Sequence, residues 1–396
     1  SPRPSPFRLR PKGEGDVTAW LPRRSPAFPK RSTRRLLPSA AQRMKGEGAR
    51  RADEGWRFGF SAGVRGCLGT RWVALRMKIL VVSDIHYAAE GEQARRGHEA
   101  RAIGNPLLRG AARAWRHWIW LRDPLAHNHR LGRIIDANPR PDWVVANGDY
   151  TVDSAFVGVS DAPAYASAEA ALGLLRSAYG DRLDLNMGDH ELGKKSLFGG
   201  AGGLRLASWQ RSVEGLGLPP VWTRELGHLL LVGAASTPLA LPVFLPDAPP
   251  EEHAAWRRIA DEVRGRVASV FDALKAHQRV MLFVHDPSAL PFLGREPAIR
   301  DRLSQVALTV VGHLHTPAVF RLGSALAGFP PLRFCGHTVR RYSTALREAR
   351  WWREFRTVLC PSPTGIELLK DGGWLELEVS PERGEVVSCR RRSLEW

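Results

Sequence analysis

Cysteine is scarce in this chain and scattered, at Cys67, Cys335, Cys360 and Cys389, with no C-x-x-C pair. That excludes a disulfide framework and a zinc ribbon, and leaves four packed, reduced thiols. Long apolar runs are missing too, and none approaches the length of a membrane span. The N-terminus lacks the charged-then-apolar pattern of a secretory signal, so the expected location is cytoplasmic. Against these absences, 43% of the 396 residues are hydrophobic, enough to fill the core of an α/β domain.

The formal net charge of +18 is unevenly spread. Residues 1–76 hold 18 Lys/Arg against 5 Asp/Glu, a net of +13, and the other 320 residues carry only +5. The high isoelectric point therefore describes a leader, and the folded part makes no strong case for nucleic acid. That leader is rich in Pro, Arg, Ser and Gly without an apolar period, and is expected to be disordered. Met77-Lys78-Ile79-Leu80-Val81-Val82 reads as the first strand of the domain 77–396, with Met77 as the natural start, Met44 as the second choice and 1–76 as an upstream extension. A basic arm for nucleic acid or a transit-like segment is the rival reading.

From Met77 onward, apolar runs alternate with polar loops and helix-like segments. Ile79 to Val82 delivers Ser83-Asp84-Ile85-His86, and Asp142 to Ala146 delivers Asn147-Gly148-Asp149. Ala168, Leu172, Leu175 and Tyr179 recur at helical spacing, with Gly180 where a C-cap glycine belongs. Leu183 to Met187 then delivers Gly188-Asp189-His190-Glu191. After an unloaded strand at Leu229 to Val232 comes a long helix from Glu251 to His277, striped by Trp256, Ile259, Val263, Val267 and Phe271. Val280 to Val284 delivers His285, and Thr309 to Val311 delivers Gly312-His313-Leu314-His315, whose two histidines would point the same way in an extended segment. Glycines before Asp149, Asp189 and His313 suit turns that need positive φ.

In open α/β sheets functional groups gather beyond the carboxyl ends of strands. Convergence there would unite Asp84, His86, Asp149, Asp189, His285, His313 and His315. One divalent ion takes about four to six ligands, so seven donors imply two ions sharing one of them.

Together, Asp-x-His, Gly-Asp, Gly-Asp-His-Glu, a lone His after a strand and Gly-His-x-His resemble the calcineurin-like metallophosphoesterases, over about Met77 to Thr316. The resemblance implies a four-layer α/β fold, two mixed β-sheets packed as a sandwich with flanking helices. It also implies that Asp84, His86 and His315 hold one metal, that Asp149 bridges, that Asp189, His285 and His313 hold the second, and that His190 is the catalytic histidine beside the substrate. The family usually has Asn where this chain has Asp189, and the purple acid phosphatase branch has Tyr where this chain has Val152, so no tyrosinate–iron site is expected.

Two cations about 3.5–4 Å apart lower the pKa of a shared water, and the resulting hydroxide attacks phosphorus in line. The expected activity is therefore metal-dependent hydrolysis of a phosphate ester by two divalent ions, with Mn, Fe or Zn all suiting the N/O donors. Three anionic ligands weaken the pull on a dianion, which tilts the expectation towards phosphodiesters over phosphomonoesters. His190 would assist the leaving group, with Glu191 either orienting it or standing as a solvated loop carboxylate. A nuclease acting on DNA or RNA, or a metal-free binding scaffold, are the alternatives.

The insertion at about 88–130 carries Arg113, Trp115, Arg116, Trp118, Trp120 and Arg122, and reads as an amphipathic helix capping the sheet. A membrane-interface patch or a stacking surface for single strands are the other readings. His127 and His129 follow no strand and are expected to lie away from the site. Gly199 to Gly203 lacks the Lys of a phosphate loop and reads as a flexible rim. Gly365 to Leu369 and Trp374 to Val379, about the Asp371-Gly372-Gly373 turn, read as a β-hairpin extending one sheet, and Arg390 to Arg392 as a solvated tail.

Overall fold

A computed structural model describes residues 76–196, 200–332 and 337–395. The leader lies outside them apart from Arg76, so the expectation of disorder concerns residues beyond this description.

Strand β1 (Met77–Val82) lies centrally in a sheet of order β10-β9-β1-β2-β3, with β2 (Trp143–Ala146), β3 (Leu183–Leu185), β9 (Gly373–Ser380) and β10 (Glu385–Ser393). The second sheet has the order β4-β5-β6-β7-β8, from β4 (Val221–Leu226), β5 (Leu229–Ala234), β6 (Arg279–Val284), β7 (Val306–Val311) and β8 (Thr357–Leu359). Both are mixed. β1, β2 and β3 pair in parallel and β9 antiparallel, while β5 to β8 pair in parallel and β4 antiparallel.

Alternation along the strands explains the layers. Ile79 and Val81 share a buried cluster with Leu229, Leu231, Met281, Phe283 and Leu377, which is the seam between the sheets. Leu80, Val82, Val144, Leu230, Val232 and Leu282 belong to a second cluster with the helical residues Leu172, Leu175, Trp256, Val263 and Phe271. Strands buried on both faces read as continuous apolar runs, which is why these were visible in the sequence. The fold is the expected sandwich of two mixed sheets with flanking helices.

The helix Ala162–Tyr179 starts at Asp161, whose side chain accepts from the Ala164 N–H, and stops at Gly180 with φ 53°. The long helix runs over His253–Asp272, shorter than expected at both ends. Its first turn is 3-10 over Pro250–Glu252, and its Trp256, Val263, Val267 and Phe271 are buried.

Two expectations are corrected. The hairpin joins β9 to β10, and 365–369 is instead a loop whose Glu367 and Leu368 N–H groups donate to the Trp120 and Ile119 carbonyls. Arg390 to Arg392 sit in β10, an edge strand exposed on nearly its whole length, and Arg392 pairs with Glu376 at 3.0 Å. With no buried face there was no alternation to read.

The insertion between β1 and β2 does hold an amphipathic helix, Pro106–Trp118, capped by Asn105 accepting from the Leu107 and Leu108 N–H groups. Only Ala112 on it is fully buried, and the helix rests on its neighbour His98–Ala102.

Candidate metal centre

The loops after β1, β2, β3, β6 and β7 meet at one end of both sheets. Asp149, Asp189, His285 and His313 each offer a donor atom within 4.8 Å of the others, and so do Asp84, His86 and His315. A third grouping, His86, Asp149 and His190, overlaps both the metal donors and the histidine expected outside them. All seven residues read from the sequence as ligands are thus brought together. His285 Nε2 lies 3.0 Å from Asp149 Oδ2, 3.6 Å from Asp189 Oδ1 and 3.9 Å from Asp84 Oδ1, at the centre of the three carboxylates. His315 Nε2 is 3.6 Å from Asp84 Oδ1 and 3.1 Å from His86 Nε2.

The backbone reaches this arrangement through left-handed residues. Asp84, His86, Asp149, His313 and His315 have φ between 48° and 66°. Such conformations are costly for non-glycine residues and collect at functional sites. His313 and His315 are therefore not extended, and they fall in different donor groups, one for each side of the centre. Of the three glycines expected to take positive φ, only Gly148 does, at 96°. Gly188 and Gly312 are needed for room instead. A Cβ on Gly188 would lie 2.1 Å from Asp149 Oδ1 and 2.3 Å from its N, and one on Gly312 would lie 2.0 Å from Ser83 Oγ and 2.5 Å from Asp84 Oδ2.

Carbonyl oxygens set the imidazole orientations. Asn147 O accepts from His285 Nδ1 at 2.7 Å, Thr151 O from His86 Nδ1 at 3.2 Å and Val152 O from His190 Nδ1 at 2.7 Å. A carbonyl only accepts, so each Nδ1 carries a hydrogen and each Nε2 is the nitrogen that faces the centre. His285 Nε2 is buried without a hydrogen-bond partner. Three buried carboxylates aimed at one small volume repel one another unless positive charge lies between them. The donors fit divalent cations on that ground, with mixed nitrogen and oxygen ligands suited to Mn, Fe or Zn.

The titration of the residues shows the same demand. Burial alone would lower His285, yet Asp149 and Asp84 outweigh it and hold that imidazole well above its usual range. Burial likewise works to raise Asp149, but the charge of His285, which also hydrogen-bonds to it, brings its carboxyl below the usual carboxylate range. Asp84 is raised, chiefly by burial. His190 is held well below the ordinary imidazole value by burial and by Lys194, which keeps it neutral. Its Nε2 stands 3.9 Å from Asp149 Oδ2.

Glu191 is neither a solvated carboxylate nor seated on the His190 ring, whose Nδ1 is taken by Val152. It is fully buried, and its oxygens accept from the N–H groups of Gly188 at 2.8 Å, Asp149 at 3.0 Å and Tyr150 at 2.7 Å. It ties the Asp149 loop to the Asp189 loop. Burial, followed by the Asp149 charge, pushes its carboxyl up to about 7.

Several contributors carried no signal in the sequence. Asn186 donates to Asn147 Oδ1 and to Phe283 O, both at 2.8 Å, and so joins the two sheets beneath the centre. Lys194 Nζ lies 3.7 Å and Arg341 Nη2 3.5 Å from Asp189 Oδ2. Arg341 comes from the helix His337–Arg347, beyond the last motif, where spacing pointed to nothing. Trp120 stands with its ring centroid 5.0 Å from that of His315 and stacks on Trp115 at 5.2 Å. Above the centre opens a cavity of about 400 Å³, walled by Trp115, Trp120, Phe156, Val243, Val319 and Trp352. His127 and His129 pack near each other, with centroids 6.4 Å apart, and belong to none of the donor groups.

Residues 77–317 match the family model for calcineurin-like phosphoesterases. The chain belongs to that family. It is accordingly a metal-dependent phosphoester hydrolase, in a family that normally uses two divalent ions. No curated protein matches the chain. Among solved structures, phosphopantetheinyl hydrolase (PptH) from Mycobacterium tuberculosis is similar at 16% identity, with a TM-score of 0.29 over 62% of this chain and 85% of that one. So low a score carries no argument about substrate. Among the described residues no helix is long and apolar enough to cross a membrane.

Proposed function

We propose that this phosphoesterase hydrolyses the phosphate ester of a small organic molecule, using two divalent ions held by Asp84, His86 and His315 on one side and Asp189, His285 and His313 on the other, with Asp149 between them. The convergence of those seven side chains into two adjoining donor groups carries the reading. Bound there, divalent ions supply positive charge to the phosphate oxygens and acidify water towards neutrality. The chain's residues do the rest. His285, His86 and His190 are held by backbone carbonyls in one orientation, so their Nε2 atoms need no rearrangement when substrate arrives.

His190 is the group we place at the leaving oxygen. It is neutral with its Nδ1 hydrogen committed to Val152 O, and an arriving phosphate raises its proton affinity, so Nε2 takes a proton from solvent and yields it to the leaving oxygen. Glu191 acts as a positioning residue beneath both loops. Asp189 adds a third carboxylate, which by itself disfavours a dianionic monoester, but Lys194 and Arg341 return positive charge beside it. Charge therefore does not select between diester and monoester. The aromatic and aliphatic walls favour a compact organic group over a polymer strand, which would call for an open basic groove. A binding scaffold would need lost donors, and every donor position here is filled.

The test is metal analysis of the purified protein followed by turnover of a chromogenic phosphomonoester and the matching diester, with and without chelator. Two equivalents of metal and chelator-sensitive turnover are expected; full metal with no turnover on either ester, or turnover untouched by chelator, would overturn the reading. His190→Ala should keep its metal and lose roughly 10²–10⁴ in turnover, the usual contribution of a positioned acid–base group. Because His190 also falls in a donor group with His86 and Asp149, loss of metal in that variant would make it a ligand instead.

A further inference from the structure

The helix Pro106–Trp118 carries a second feature, independent of the metal centre. Leu107, Ala111, Ala114 and Trp118 recur at i, i+4, i+7 and i+11, which places them on one face of the helix. A stripe of that kind normally faces a core. Here all four are exposed, with Leu107 83% and Trp118 67% accessible. The backbone hydrogen bond from Leu368 N–H to Ile119 O brings a second exposed pair, Leu368 and Leu369, alongside exposed Ile119 and extends the apolar surface past the helix end. Contiguous exposed apolar surface on a folded protein marks a contact site.

Charge decides what would cover it. Residues 106–122 hold four arginines, Arg109, Arg113, Arg116 and Arg122, and no Asp or Glu. Arg113 is exposed at the side of the helix, and Arg122 follows just beyond it, exposed and 3.5 Å from Glu367, whereas Arg109, which donates to the Ile103 and Gly104 carbonyls, and Arg116, which pairs with Glu99, lie on the side away from the stripe. A second copy of this chain meeting the same face about a two-fold axis would set these cations against themselves. An anionic surface would attract them. A cationic helix with Leu and Trp on its other face is the pattern of a helix lying in a lipid headgroup layer, the arginine stems reaching up to anionic headgroups. The inner side of the same segment, Trp115 and Trp120, walls the cavity over the metal centre.

We propose that this face docks the protein onto an anionic lipid bilayer, with Leu107 and Trp118 inserted at the acyl boundary and the exposed Arg113 and Arg122 on the headgroups. The experiment is flotation of the full chain with vesicles of phosphatidylcholine alone and of equal parts phosphatidylcholine and phosphatidylglycerol. It reads binding only, so an error in the hydrolase reading leaves it unaffected. Binding to the anionic vesicles is expected, weakening as salt rises. The double variant L107S/W118S should bind about tenfold or more weakly, from the apolar burial it forgoes. Arg113→Gln should bind about fivefold more weakly. These side chains are exposed, so the melting temperature should not move.

The basic residues 1–76 attract anionic vesicles by charge alone, and that attraction survives in the double variant. Unchanged binding in L107S/W118S therefore overturns the proposal, as does no binding by the unsubstituted chain. Self-association in sedimentation velocity without vesicles, abolished by the same variant, would show a second copy on this face and would overturn it too.

Discussion

Asp149→Asn is expected to leave the purified protein depleted of metal and to lower phosphoester turnover by about a hundredfold or more, since even residues that merely orient ligands cost about 10–100-fold. Asp149 is shared by two of the donor groups, as is His86, and is the one carboxylate so shared. Its Oδ2 is 3.0 Å from His285 Nε2 and 3.9 Å from the Nε2 atoms of both His86 and His190, while its Oδ1 accepts from the His190 N–H at 3.0 Å. An asparagine has one oxygen for these two tasks. If it keeps the His190 N–H, its NH₂ faces the cations and the lone pairs. The fold should survive, because removing one of three mutually repelling buried carboxylates relieves strain in the cation-free state. Metal content by elemental analysis, with the melting temperature of chelated protein as the folding control, checks both halves. Retained metal at full stoichiometry would show that Asp149 does not lie between two ions.

Glu191→Ala should have the largest effect on stability. Its carboxylate satisfies the N–H groups of Gly188, Asp149 and Tyr150 in a fully buried position, and each unpaired buried donor costs about 1–3 kcal/mol. A loss of at least about 3 kcal/mol follows, a fall of roughly 5–10 °C in melting temperature, with metal lost as the loops part. The direction with pH can be worked out. Burial and Asp149 raise this carboxyl from 4.5 to about 7, so in chelated protein its contribution is complete below 4.5 and is lost as pH rises through 7. Glu191→Gln, which does not ionise, should flatten that part of the stability curve. A Glu191→Ala protein of unchanged melting temperature but abolished turnover would mean that the carboxylate acts in the reaction rather than under it.

Both variants concern residues that were conspicuous in the sequence, yet their roles differ in how far they could be read there. Asp149 follows an apolar run and a glycine, and the chemistry of a carboxylate at a strand end is local information. Glu191 looked like a loop residue because nothing local says that three N–H groups from two separate loops will surround it. The same limit hid Lys194 and Arg341, which reach Asp189 only through folding, and Asn186, whose amide joins two sheets. The glycines illustrate the point from the backbone side. Their presence before Asp149, Asp189 and His313 was plain, but Gly188 and Gly312 answer to crowding by side chains from other loops and not to their own φ.

By itself, the sequence determined the buried strands β1, β2, β3, β5, β6 and β7 and the seven side chains that follow them into one site, because buried parallel strands are continuous apolar runs and their payload follows immediately in the chain. Tertiary structure alone decided which imidazole nitrogen faces the centre, which cations stand behind Asp189, that β10 completes a sheet edge, and that the apolar stripe of Pro106–Trp118 points outward. Helical spacing shows that a stripe exists, whereas its direction depends on what the helix rests against, and that contact is made by residues distant in the chain.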